Sequence, residues 1–129
     1  MRSHVLHVGI RFPLGVASAG LAILSHLSDR DIDDFFARVR PELEWGSGHA
    51  EVAVRARIES TRRTGYAVNP ALIVDGSWGI GAAVFDRSGK PAWALSITGV
   101  ETRFKPERHP ELGSLLLEHA HQLSGRIQA

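Results

Sequence analysis

No cysteine occurs in the sequence, which removes disulfide bridges, thiolate metal sites and cysteine nucleophiles at once. A large charge of either sign is also missing. The formal net charge is +1, so no overall field draws the chain to nucleic acid or to an acidic membrane. Long apolar runs are lacking too, because Gly, Ser and His break each such stretch within a turn or two, and no membrane span is expected. The first residues lack the basic, apolar and small-residue succession of a secretory signal, so a cytoplasmic location is the expectation. Repeats, linkers and low-complexity segments are absent.

What is present suits one globular domain. The 129 residues allow a real core, and 43% apolar with 22% charged residues is the balance of an ordinary folded protein. His4–Ile10 alternates like a strand. Ala17–Leu27 carries Leu21, Ile23 and Leu24 with little charge, which predicts a largely buried helix. Ser28 and Asp31 form an S-x-x-D capping box for a helix with Ile32, Phe35, Phe36 and Val39 on one face, ending at Arg40-Pro41. Glu44–His49 reads as a loop, and Ala50–Thr64 as a helix stopped by Gly65. Tyr66–Val68 reads as a short strand and Asn69–Ser77 as irregular. Trp78–Phe85 and Pro91–Thr98 form a hairpin around Asp86–Lys90, where Gly89 can take a positive φ. A last helix starts near Pro110 and turns Leu112, Leu115, Leu116, Leu123 and Ile127 inward. The order β-α-α-α-β-β-β-α predicts an α+β domain with a mainly antiparallel sheet. Arg55, Arg57, Arg62 and Arg63 are expected on a solvated helix face, with Glu51–Arg55 and Glu59–Arg63 as ion pairs.

The main chemical question lies in RFPLGVASAGLAIL, Arg11–Leu24. Gly15 and Gly20 are spaced as in a phosphate loop, but Leu21 and Ala22 stand where a lysine and a hydroxyl residue are required. Ser18 lacks the flanking G-x-S-x-G glycines of a nucleophile elbow. What is left is a strand-to-helix turn of small residues. Its open N–H groups can hold a carboxylate, or its smallness can let the helix pack close to the sheet; both readings stay open.

On the hairpin, Gly79, Gly81, Ala83 and Phe85 can share a face with Ala92, Ala94, Ser96 and Thr98, leaving a hollow or a seat for a helix. A slip of one residue sets Ser96 opposite Ile80 instead. Trp78 and Trp93 on the hairpin and Trp45 in a loop read as core or interface residues, with Trp78 alternatively at a pocket mouth, stacking on an aromatic ligand. Among the seven histidines, His4 and His7 fall on opposite strand faces, and His119 and His121 diverge by about 200° on a helix. Neither pair chelates alone, and no metal or other cofactor is expected.

Several pieces, in this order, resemble the effector-binding domain of IclR-type bacterial transcriptional regulators. They are Arg11, Pro13, Leu14, Gly20 and Ala22 at the turn; R-x-x-G-Y-A at Arg62–Ala67; G-I-x-A-x-V-F-D at Gly79–Asp86; and A-L-S-I-T-G at Ala94–Gly99, followed by Arg103 and a long helix. The resemblance implies a GAF-like (profilin-like) antiparallel sheet with flanking helices, and a non-enzymatic sensor of a small organic or aromatic acid that forms a homo-dimer or tetramer. Carried over by motif, the pocket residues are Ser18 and Ala19 at the turn, Asn69 after Gly-Tyr, and Gly79, Ser96 and Thr98 on the hairpin. The turn geometry adds the Gly20 amide, and the ring reading adds Trp78. The carry-over requires Gly79 near Thr98 and Gly81 near Ser96.

The chain departs from the pattern at Gly15 and Leu21, where His and Lys are usual, at Asn69, where an acid is common, and at Gly79, where a larger residue can occur. These departures imply a wider, less polar pocket and a different ligand. Residues 1–129 correspond to a domain without the family's first helix and strands, and without its winged helix-turn-helix. DNA is then expected to be reached only through such a domain, and an exposed sheet edge or apolar face invites another copy. The alternatives are a small hydrolase or isomerase using Ser18, or a dimerisation module with a vestigial pocket.

Overall fold

The computed structural model describes residues 12–70, 77–100 and 105–129. The strand expected at His4–Ile10, as well as Arg11 and Arg103, lies outside the described residues. Helices α1 (Ser18–Ser25), α2 (Asp29–Arg38), α3 (Glu42–Trp45) and α4 (Glu51–Thr64) come first, followed by strands β1 (Ala67–Pro70), β2 (Ser77–Phe85) and β3 (Pro91–Val100). Helix α5 (His109–Gln128) closes the described chain, and short 3-10 turns precede α4 and α5.

Local chemistry sets most of these boundaries. The Ser28 hydroxyl accepts the Asp31 N–H at 3.1 Å and starts α2, whose Ile32 and Phe36 are buried. Gly65 ends α4 in the left-handed region at φ 92°. Glu44–His49, expected as a loop, instead shares in the helical turn of α3 and a 3-10 turn at Ser47–His49. Pro41 explains the difference: it does not only end what precedes it. It stands in helical conformation, and its carbonyl accepts the Trp45 N–H at 2.8 Å.

Among the described residues the sheet is three-stranded and antiparallel, in the order β1-β2-β3. Gly79 stands opposite Asn69 on one side and Thr98 on the other, and Gly81 stands opposite Ala67 and Ser96. In the hairpin turn the Asp86 carboxylate accepts from the Ser88 N–H and hydroxyl and from the Lys90 N–H, and Gly89 takes φ 81°.

The pleat divides the core in two. Ile80, Ala82 and Val84 face α5 and meet Leu116 and Ala120, whereas Ala67 and Ala83 join Leu21, Leu24, Ile32, Phe36, Val54 and Ile58 from α1, α2 and α4. The buried stripe of α5 is Gly113, Leu116, Ala120 and Ser124, so the expectation that Leu115 and Leu123 point inward is corrected: they are 50% and 37% exposed. Small residues on the stripe let the helix lie close. A Cβ at position 113 would collide with the Tyr66 ring, and the Ser124 hydroxyl reaches the Phe85 N–H at 2.9 Å.

The arginines of α4 are also not a uniformly solvated face. Arg55 pairs with Glu51 at 2.9 Å, as expected, and also with Asp33 at 2.8 Å. Arg62 instead crosses to the α1–α2 junction, donating to the Ser25 and Leu27 carbonyls at 2.7 and 2.9 Å and to Asp29 at 2.8 Å. Arg57 is half-buried and donates to the Gly48 carbonyl at 2.8 Å. No Glu59–Arg63 pair forms among the described residues.

Candidate functional site

The start of α1 rests on β2. Ala17 occupies the N-cap in an extended conformation with no side chain to cap the helix, and no acid stands in the first turn. Among the described residues, no side chain accepts from the first-turn N–H groups and no acid of that turn opposes the positive end of the helix dipole. The sheet beneath is bare. A Cβ on Gly81 would overlap the Ser18 carbonyl group, and a Cβ on Gly79 would come within 2.9 Å of Ser18 Oγ. The small-residue patch is thus filled where it lies under α1, as the close-packing reading has it.

Asn69 ties this turn to the sheet. Its side chain is buried, and Nδ2 donates to the Val16 carbonyl at 2.9 Å. That bond orients the amide and leaves Oδ1 buried without a hydrogen-bond partner. Asn69, Gly79 and Thr98 form a row across three strands, with Ser18 above Gly79. Thr98 and Ser96 share this face and are exposed.

The structure therefore brings together Ser18, Asn69 and Gly79, with the backbone of Ala19 over Gly81 and with Ser96 and Thr98 on the same sheet face. Gly20 packs back against Leu14 and Gly15 of the turn. Trp78 stands apart. It lies on the α5 side, its ring 5.0 Å from that of His109, with Nε1 buried and unpartnered. Strand alternation decides this, since neighbours such as Trp78 and Gly79 cannot share a face, and that signal was present in the sequence. The Val16 carbonyl is the group that sequence reasoning did not single out, and a backbone acceptor leaves no residue-type signal.

This group of residues contains no titratable side chain. It offers donors from the helix start and from hydroxyls, and one buried acceptor at Asn69; it can hold a small polar molecule by hydrogen bonds. Ser18 Oγ has no hydrogen bond to a histidine or a carboxylate among the described residues, and no group of three His, Asp or Glu gathers there as metal ligands. No described helix is long and apolar enough to cross a membrane.

An antiparallel sheet carrying helices on both faces is an α+β domain, and its likeness to solved and curated proteins lies with bacterial transcriptional regulators. The family profile described as bacterial transcriptional regulator IclR C-terminal matches residues 1–125, and the chain belongs to this family. It is similar to the HTH-type transcriptional repressor AllR of Klebsiella pneumoniae, with 29% identity over 118 residues, covering 91% of this chain and 43% of that protein. Among solved structures it resembles the repressor BlcR of Agobacterium tumefaciens, with TM-score 0.86, 26% identity, and coverage of 99% of this chain and 53% of that one. The IclR of Thermotoga maritima shares the fold with TM-score 0.86 at 24% identity, over 98% of this chain and 52% of that one. The chain spans less than half the length of AllR and about half of each solved regulator.

Proposed function

We propose that residues 1–129 act as a single effector-sensing domain that holds a small organic acid between the start of α1 and the β3 side of the sheet. The observation that carries this reading is the hairpin register, in which Asn69, Gly79 and Thr98 fall in one row beneath Ser18. The acid's carboxylate would take the unopposed N–H groups from Ser18 to Gly20. Ser96, Thr98 and Asn69 would meet the remainder of the molecule. Trp78 lines no part of this pocket, because it faces α5.

The domain works in the cytoplasm, does no chemistry on its ligand and associates with further copies. It is linked to DNA only through a winged helix-turn-helix domain. Ligand favours one arrangement of turn and hairpin and so biases subunit geometry, a population shift whose size equals the ligand's differential affinity. Similarity to regulators such as AllR and BlcR supports this reading over a hydrolase built on Ser18.

Thermal-shift screening against small organic acids tests the proposal. At least one stabilising acid should lose its effect in Ser96→Leu and in Thr98→Leu, whose exposed side chains can be changed without opening the core. If every stabilising acid keeps its effect in both variants, or no acid stabilises the chain, the site at Ser18 and Thr98 is vestigial and an association module is favoured. Recovery of a chemically altered ligand, with turnover abolished in Ser18→Ala, would favour the hydrolase.

A further inference from the structure

A cavity of about 310 Å³ opens at the β1 edge of the described sheet, between α4 and the start of α5. Arg57 and Ser60 of α4 form one wall, Tyr66 and Val68 supply an apolar surface, and His109 at the start of α5 lies opposite. Val68 belongs to the α5-side cluster and points away from the face that carries Asn69, so this cavity is separate from the row at Gly79.

Arg57 is what makes the cavity unusual. Arg55 and Arg62 each meet a carboxylate at 2.8 Å, but among the described residues Arg57 has only the Gly48 carbonyl. Its Nε–H is buried without a partner and out of reach of the cavity, and burial holds the guanidinium below its ordinary pKa. Any anion would have to meet the outer nitrogens of the fork. A half-desolvated cation with one neutral acceptor is an unfavourable arrangement unless an anion completes it. The neighbouring threonines cannot substitute as donors. Thr61 donates its hydroxyl to the Arg57 carbonyl at 2.7 Å, and Thr64 spends its own on the Tyr66 carbonyl at 2.9 Å.

We propose that this cavity is a second ligand site, which takes a small carboxylate with a compact apolar body. The carboxylate pairs with Arg57 and accepts from the Ser60 hydroxyl, while the body lies on Tyr66 and Val68. The volume stands at the small end of ligand pockets and suits a molecule the size of benzoate. A phosphate would leave the apolar wall uncovered and would ask for more donors than Arg57 and Ser60 provide.

Calorimetric titration of the 129-residue chain with benzoate, benzamide and inorganic phosphate tests this. Benzoate should bind the native chain and Thr98→Leu alike, since Thr98 belongs to the other face. Benzamide, which is neutral and of the same shape, should bind at least about tenfold more weakly, as loss of a charge-assisted pair implies. Arg57→Gln should lose a similar factor. Because that change also removes the Gly48 contact, Ser60→Phe provides a second arm: it keeps the guanidinium, starts from an exposed position and fills the cavity. It too should abolish binding. The proposal is overturned if benzoate does not bind at millimolar concentration, if binding survives Ser60→Phe, or if it is lost in Thr98→Leu. It is overturned equally if benzamide or phosphate binds as well as benzoate.

Discussion

His26 shows at the scale of one residue how position sets chemistry. It follows α1, its ring lies edge-on to Phe85 at 5.2 Å, and burial, then Arg62 and His121, hold its pKa below 6.5. A proton is therefore bound less readily in the folded chain than in the unfolded one. The stability this represents is present above 6.5 and drains away as pH falls through the lowered folded value. In urea unfolding, the native chain should lose more stability between about pH 7.5 and about pH 5.5 than His26→Gln does. Equal slopes for the two proteins would show that His26 is not the group responsible. Asp86 also has a lowered pKa but from the opposite cause, since hydrogen bonds from Ser88 and Lys90 favour its charged, exposed carboxylate and tie the hairpin turn.

At the scale of elements, Arg62 is the residue that joins three helices. From α4 it meets the carbonyls at the end of α1, where the helix dipole is negative, and the acid in the first turn of α2. Arg62→Ala should lower unfolding stability by about 2 kcal/mol, whereas Arg63→Ala, one residue on and exposed, should stay within about 0.5 kcal/mol. Denaturant titration of the two variants reads the difference directly. The sequence placed both arginines on the same helix but could not tell them apart, because the carbonyls that Arg62 meets are backbone groups 35 or more residues away. The same limit applied elsewhere. Ser28, Gly65 and Gly89 act through near neighbours, and their caps and turns were legible. The Asn69–Val16 bond spans 53 residues and was not. The pairing of Gly79 with Thr98 was legible only through the family resemblance, since small residues on both strands tolerate either register. Leu115 and Leu123 were misplaced because helical periodicity gives a stripe but not which edge of it meets the sheet.

At the scale of the molecule, apolar surface is left on the side that carries α5. Trp93 pairs with Val84 on that face and is 53% exposed, and Leu115 on α5 is 50% exposed. Association with further copies, as proposed above, would cover such residues. Sedimentation velocity should then show the native chain as a dimer or larger, and Trp93→Lys shifted toward the monomer with its thermal unfolding little changed. A native chain that sediments as a monomer at every concentration would remove association from the proposed function. The chain covers less than half of AllR.

On the proposed function, the seating of α1 on Gly81 has a consequence for how ligand preference would diverge. At Gly81 the backbone of α1 already occupies the space of a side chain, so substitution there must displace the helix, whereas at Gly79 a side chain would meet only the Ser18 side chain, which can turn aside. Ser96 and Thr98 stand exposed beside this contact, and their replacement costs the core little. The surface is divided into one fixed point at Gly81, which mutation cannot sculpt, and surroundings that it can. A lineage of such domains could exchange one small acid for another around that point while every member kept the same helix in the same seat.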